Sequence, residues 1–246
     1  MCTVTYIFSG EKIYLTSNRD EKALRTQALP PRFYIHNDVQ LIYPKDQDAG
    51  GTWIAMNENG NAAVLLNGAF TKHASSPPYR KSRGLVFLDI AKSRKPFDYF
   101  LNIDLENIEP FTLVLFEQNI LHECRWDATN KYYKELDIKR NHIWSSATLY
   151  DDEVIEKREH WFVKWLKYNP QPAEKDILKF HQFAGDGNKN TDLLMNRDGI
   201  VYTVSITGIE LSANRAVMLY LDLKTSELYY TQMDTHSAAI QYEYNA

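Results

Sequence analysis

Two features near the start of the chain have the chemistry of a nucleophile and its partners. Cys2 directly follows Met1, and Ser17-Asn18-Arg19-Asp20-Glu21 closes an apolar run a strand's length later. The Cys2 side chain is small enough for methionine aminopeptidase to remove Met1, leaving one residue with both a thiol and a free α-amine. An unperturbed α-amine titrates at about 7.7–8.0 and a thiol at about 8.5, so near neutral pH the two can share one proton. The amine can then serve as the nucleophile's own general base, as in N-terminal threonine enzymes, and no histidine is needed. Arg19 could sit beside the thiol and favour its thiolate. Asp20 could accept a hydrogen bond from the N-terminal ammonium or hold Arg19 in place, while Glu21 would point elsewhere. The plain alternative is an idle cysteine and a solvated ion pair worth under about 1 kcal/mol.

The elements that must position these groups are mostly short strands. Residues 3–8 and 13–17 are β-rich runs separated by Ser9-Gly10-Glu11-Lys12, which suits a hairpin and places position 2 opposite roughly 17–19. Residues 52–56 and 62–66 flank a linker containing Asn59-Gly60, a strong turn signal. The stretch between these two hairpins holds Pro30-Pro31 and reads as irregular. Residues 85–91 and 97–101 look like helical pieces broken near Pro96, and 111–116 with 120–126 form a further hairpin. The clearest helix is 153–168, behind the capping candidates Asp151 and Asp152, and a second runs over 174–183 and ends at Gly185. Strands return at 200–207, 216–221 and 228–233, with turns at Asp198-Gly199 and Lys224-Thr225. This order points to one α+β domain with antiparallel sheets, and two helix pairs covering stacked sheets would accommodate it.

Cys2, Ser17-Asn18-Arg19-Asp20-Glu21, Gly50-Gly51-Thr52-Trp53 and Leu65-Leu66-Asn67-Gly68 occur in that order. In this the chain resembles the NRDE family, also called the transport and Golgi organisation 2 family. The resemblance covers most of the chain, is densest in the first 85 residues and is thin after about residue 140. It implies the fold of N-terminal nucleophile hydrolases, a four-layer αββα sandwich of two mainly antiparallel sheets, in a single domain over residues 1–246. The nearest enzymatic analogues of that family, choloylglycine hydrolases and penicillin V acylases, cleave amide bonds. Its eukaryotic members are linked to secretory organisation, lipid or acyl-CoA handling and haem movement.

Carried over, the resemblance makes Cys2 the nucleophile, its α-amine the base, and Arg19 and Asp20 the charged partners. In the amidases the acidic partner comes a few residues after the arginine, whereas here it is adjacent. Asn67 would donate its amide to an oxyanion, worth about 3–4 kcal/mol in a transition state; otherwise it is a turn asparagine before Gly68. Relatives tend to have Ser-Asn where this chain has Ser145-Ser146, so Ser146 would put a hydroxyl in place of a second amide donor. Arg215 is the candidate for an arginine that the amidases place in their C-terminal strands.

Other features carry weaker signals. Gly50-Gly51 suits either a tight turn or close approach of a ligand, and Trp53 either core or ligand wall. His73, Tyr79, Arg80 and Arg83 could receive a carboxylate or phosphate, or form a solvated face. Gly185-Asp186-Gly187-Asn188-Lys189-Asn190 fails the calcium-loop pattern, with Thr191 where glycine belongs and Arg197 where glutamate belongs. Cys124 sits in an apolar strand and reads as inert. A net charge of -4 argues against nucleic acid as a partner, and the longest apolar run, 216–221, has six residues and cannot span a bilayer. Two cysteines do not make a disulfide scaffold, and with no signal peptide the chain reads as cytoplasmic with free thiols.

The expectation is thus a hydrolase opening a non-peptide C–N amide, or a thioester, through an acyl-Cys2 intermediate. It needs a small-molecule amide or acyl substrate and no cofactor or metal, and a homo-oligomer is compatible with it. The alternatives are a non-catalytic carrier of acyl lipid or haem, and a scaffold acting in membrane traffic through its surface.

Overall fold

A computed structural model of the chain describes residues 3–236. Strands β1 (Thr3–Ser9) and β2 (Lys12–Lys22) form the opening hairpin, with Thr3 opposite Asn18 and Ser9 opposite Lys12. Next come β3 (Leu29–His36), β4 (Val39–Lys45), β5 (Ile54–Asn57) and β6 (Ala62–Asn67), then helices α1 (Arg83–Ala91) and α2 (Pro96–Asn102). A second strand group follows: β7 (Phe111–Glu117), β8 (Ile120–Trp126), β9 (Lys131–Leu136) and β10 (His142–Ser145). The chain continues through α3 (Asp152–Tyr168), α4 (Glu174–Phe183), β11 (Asn196–Arg197), β12 (Val201–Ser212), β13 (Arg215–Asp222) and β14 (Leu228–Asp234).

All pairings are antiparallel. One sheet runs β10-β1-β2-β12-β13-β14 with β11 on β12, and the other is the meander β3 to β9 without helices interposed in the pairing order. Period-two alternation sends successive side chains to opposite faces. Val4, Leu15, Ile54, Val64, Val114 and Met218 therefore meet in the core between the sheets. Leu65, Leu113 and Leu115 instead face Phe87, Ile90 and Phe100 of α1 and α2. Ile7 and Tyr14 face Phe162, Ile177 and Phe180 of α3 and α4. Each such buried side chain contributes roughly 1.5–3 kcal/mol relative to exposure. The layers are α1α2, sheet, sheet, α3α4, the αββα sandwich expected.

The stretch around Pro30-Pro31 is not irregular: it is the β3–β4 hairpin. The prolines fit because β3 is an edge strand whose pairing is interrupted between Leu29 and Arg32, so their missing N–H groups cost no ladder bonds. Its turn uses Asn37 and Asp38, both at positive φ (49° and 61°), as a two-residue hairpin turn demands. Strands β9 and β10 were likewise not expected, and Pro96 opens α2 at its first position rather than merely breaking a helix.

One close approach ties the layers together beside β2. The backbone of Gly51 lies against Gly84 at the start of α1: a Cβ on Gly51 would meet the Gly84 carbonyl carbon at 2.4 Å. Gly51→Ala should therefore cost about 1–3 kcal/mol by overpacking, whereas Gly10→Ala, at φ +63 with open space around it, should cost about 1 kcal/mol from backbone conformation alone. Urea unfolding of the two variants checks the difference.

Candidate active site

The end of β2 is held from both faces of its sheet. On the helix side, Asn18 donates from Nδ2 to the Leu193 carbonyl at 2.7 Å and to the His181 carbonyl at 3.1 Å. Its Oδ1 is therefore the acceptor for His181 Nδ1–H at 2.6 Å, which assigns that tautomer and leaves Nε2 to accept from the Thr5 hydroxyl at 2.8 Å. His181 is fully buried. Burial, and then the charge of Arg158, push its pKa down to about 3, so the ring is neutral. Arg158 is fully buried as well. It donates to the Thr3 hydroxyl and to the carbonyls of Thr191 and Asp192, and stacks 3.7 Å from the Tyr150 ring centroid.

Asp20 shares this face. Tyr150 donates its hydroxyl to Asp20 Oδ2 at 2.6 Å and Thr203 donates to Oδ1 at 2.5 Å. Thr203 pairs with Asp20, yet the next pair is Ser205 with Arg19: Val204 is a bulge inserted at this point of β12. The bulge turns the strand where it faces the two charged residues.

Arg19 points the opposite way, into the space between the sheets. It is almost fully buried, lies 4.6 Å over the Trp53 ring, and donates to Asp46 Oδ2 at 2.7 Å. Glu21, on the same face of β2, comes within 3.6 Å; it does not point elsewhere. Asp46 is a hub. It also accepts from Arg25 at 2.9 and 3.2 Å and from the backbone N–H groups of Asp48 and Ala49 at 3.0 and 2.8 Å. The loop it anchors passes through Gly50 at φ +72 and delivers Gly51, Thr52 and Trp53 to the site.

These groups open onto a cleft of about 610 Å³, lined among others by Arg19, Asp20, Glu21, Trp53, Asn67, Thr148 and the first turn of α1. That volume is within the range of small-molecule sites. On its far wall Arg83 pairs with Glu109 at 3.0 Å, and Glu109 also meets His73 at 3.2 Å. Burial lowers the Arg83 pKa against the opposing charge of Glu109. Asn67 lines the cleft, and its carbonyl accepts from the Ser146 hydroxyl at 2.8 Å. Ser146 has spent its one proton there, so at 2.9 Å it is Thr148 that donates to Ser146.

Of the residues expected from sequence, Arg19, Asp20 and Asn67 share one cleft. Ser146 lies fully buried behind Asn67 and braces it rather than facing the cavity. Arg215 is not brought there. It pairs with Ser212 at the β12–β13 turn and is exposed against Gln232, seven residues along β12 from the partner of Arg19, or roughly 20 Å at strand rise. Cys2 lies outside the described residues. Cys124 is fully buried and its thiol pKa is raised by burial. Asp46, Tyr150, Thr203 and His181 gave no sequence signal, because only the folded chain brings them to β2. Among the described residues no group of His, Cys, Asp and Glu could hold a metal ion, and no helix is long and apolar enough to cross a membrane.

The family model for transport and Golgi organisation 2 matches residues 1–234. The chain belongs to that family. No curated protein matches its sequence significantly. Solved structures match its fold at low identity. A Caenorhabditis elegans N-acylethanolamine-hydrolyzing acid amidase ortholog is 12% identical with a TM-score of 0.57, over 85% of this chain and 92% of that one. A cysteine-to-alanine mutant of the Clostridium perfringens conjugated bile acid hydrolase is 9% identical with a TM-score of 0.60, over 95% and 92%. An arginine-to-leucine variant of the same hydrolase is 8% identical, with a TM-score of 0.57 over the whole of both chains. This member of the transport and Golgi organisation 2 family therefore has the fold of the N-terminal nucleophile hydrolases.

Two measurements probe the site's supports. Asp46→Asn removes the counter-charge of a buried guanidinium and should destabilise the family member by roughly 2–4 kcal/mol in urea unfolding. His181 has a folded pKa below its unfolded value, so its contribution is present above about pH 6.5 and is lost as pH falls from about 6.5 toward 3. Between pH 7 and pH 5 the native chain should lose about 2 kcal/mol more stability than His181→Gln does; equal losses would show that the ring titrates freely.

Proposed function

We propose that the chain is an N-terminal nucleophile hydrolase that opens a non-peptide C–N amide, or a thioester, through an acyl intermediate on Cys2. The observation that supports this reading best is the pairing of Thr3 with Asn18 at the end of β2, which puts the chain start next to a buried Arg19 and a doubly hydrogen-bonded Asp20, both of which line the cleft. Cys2 is one Cα step, about 3.8 Å, from Thr3. The neighbours also support it, since one is named an amidase and the other a hydrolase of conjugated bile acid.

After loss of Met1 the α-amine of Cys2 takes the thiol proton, and sulfur attacks the substrate carbonyl carbon. The Asn67 amide donates to the oxyanion that forms. The α-ammonium then gives its proton to the leaving nitrogen, or to sulfur for a thioester, as the C–N or C–S bond breaks. Water, deprotonated by the same amine, attacks the acyl-Cys2 thioester; the acid departs and the thiol regains its proton. Arg19 favours the thiolate, and Asp20 accepts from the ammonium, because each carboxylate oxygen can take a second hydrogen bond.

The test is peptide-resolved mass after a brief, sub-stoichiometric iodoacetamide pulse near pH 7. Met1 should be absent and Cys2 should label far faster than the buried Cys124. In turnover assays on amides and thioesters, Cys2→Ser should lose at least about 100-fold while Cys124→Ser changes little. A retained Met1, or equal turnover by Cys2→Ser, would overturn the reading. Saturable binding of an acyl lipid without its consumption would replace it with a carrier.

A further inference from the structure

A second cavity adjoins the proposed reaction site. It encloses about 570 Å³ and shares Thr148 and Leu149 with the first cleft, so these two residues form a ridge between them. Phe70, Val154 and Ile155 give it apolar walls, and Arg197 of β11 stands at its edge.

Arg197 is unusually fixed for a partly exposed arginine. Its Nη2 donates to the Leu149 carbonyl at 2.9 Å, its Nε to the Asn190 carbonyl at 3.3 Å, and its guanidinium lies 5.2 Å from the Tyr150 ring centroid. Those contacts orient the plane without neutralising it. Among the described residues no carboxylate pairs with Arg197 and its Nη1 has no partner. Lys72, on the same cavity, has no ion pair among them either. The two acids of the cavity belong to the start of α3: Asp151 caps it, accepting from the Val154 N–H at 3.0 Å, and Asp152 sits in its first turn, where the helix dipole favours negative charge. A guanidinium held rigid and left without a counter-ion in a cavity is a receptor for a planar oxyanion.

We propose that the second cavity is a substrate subsite for a carboxylate set on an apolar stem, with Arg197 as the residue that decides specificity. The inference rests on the hydrolase reading: the substrate crosses the Thr148–Leu149 ridge, with its reacting carbonyl in the first cleft and its carboxylate on Arg197. Tyr150 joins the two, because the ring beside Arg197 carries the hydroxyl that holds Asp20.

The experiment has a binding arm and a turnover arm, both on the full chain. Calorimetry with phenylbutyrate and its neutral amide as probes is run on the native protein, Arg197→Gln, Arg197→Lys and Lys72→Gln. The native protein should bind the carboxylate and not the amide, Arg197→Gln should weaken binding by about tenfold or more, and Arg197→Lys should fall between. Equal affinity of the native protein and Arg197→Gln, or no preference for the carboxylate over the amide, overturns the subsite. Should Arg197→Gln fail to fold, Arg197→Lys carries the same decision: weaker carboxylate binding supports the subsite, and unchanged affinity overturns it. In turnover, an N-acyl amide ending in a carboxylate should have a lower KM than its methyl ester, with kcat little changed, and Arg197→Gln should erase the difference. Failure of the hydrolase reading looks different: no amide or thioester is consumed while the carboxylate still binds through Arg197. Turnover that persists with equal KM for acid and ester refutes the subsite alone.

Discussion

A guanidinium cannot be left alone between two β-sheets, and the geometry of the cleft follows from how Arg19 is answered. Desolvating that charge is costly unless a carboxylate and further hydrogen bonds meet it. Asp46 meets it, and in doing so gathers Arg25 and two backbone N–H groups onto the same carboxylate. The loop so gathered carries Gly51 against Gly84, which sets where α1 begins. One ion pair thus fixes the distance between the opening hairpin, the second sheet and the helix that walls the cleft.

The opposite face of β2 is secured through hydrogen bonds and a cation–ring contact. Asn18 is locked to α4 through His181, and Thr3 to α3 through Arg158, whose charge is spread over carbonyls and the Tyr150 ring. A neutral histidine suits this position, since a second cation beside Arg158 would be repelled. Strand alternation then divides the labour: Asn18 and Asp20 engage the helix layer, while Arg19 and Glu21 engage the space between sheets. The bulge at Val204 lets β12 serve Asp20 and Arg19 on both faces at once.

Much of this is legible in the sequence. The opening hairpin, the β5–β6 and β7–β8 pairs and both long helices follow from turn residues, period and caps, and α4 spans the expected residues. Arg19, Asp20 and Asn67 were found through short local motifs. What escaped was set by tertiary contact. Asp46, Tyr150 and Thr203 are ordinary residues in their own segments and matter only because folding brings them to β2. Resemblance points to Arg215 in a region where it is thin, and strand register carries that residue away from the cleft. Pro30-Pro31 misled because proline argues against a central strand, and β3 is an edge.

That edge has a bearing on how the chain behaves when crowded. An unpaired strand at the border of a sheet is a template onto which another chain can add, and among the described residues the two sheets have four such borders. At β3, the two prolines remove N–H groups from the exposed ladder. The opposite border, β9, carries Lys131 and Lys134, whose charges discourage stacking of like chains. In the other sheet, β10 is only four residues long. The residues that looked least like strand therefore protect a protein built mostly of strands from edge-to-edge aggregation.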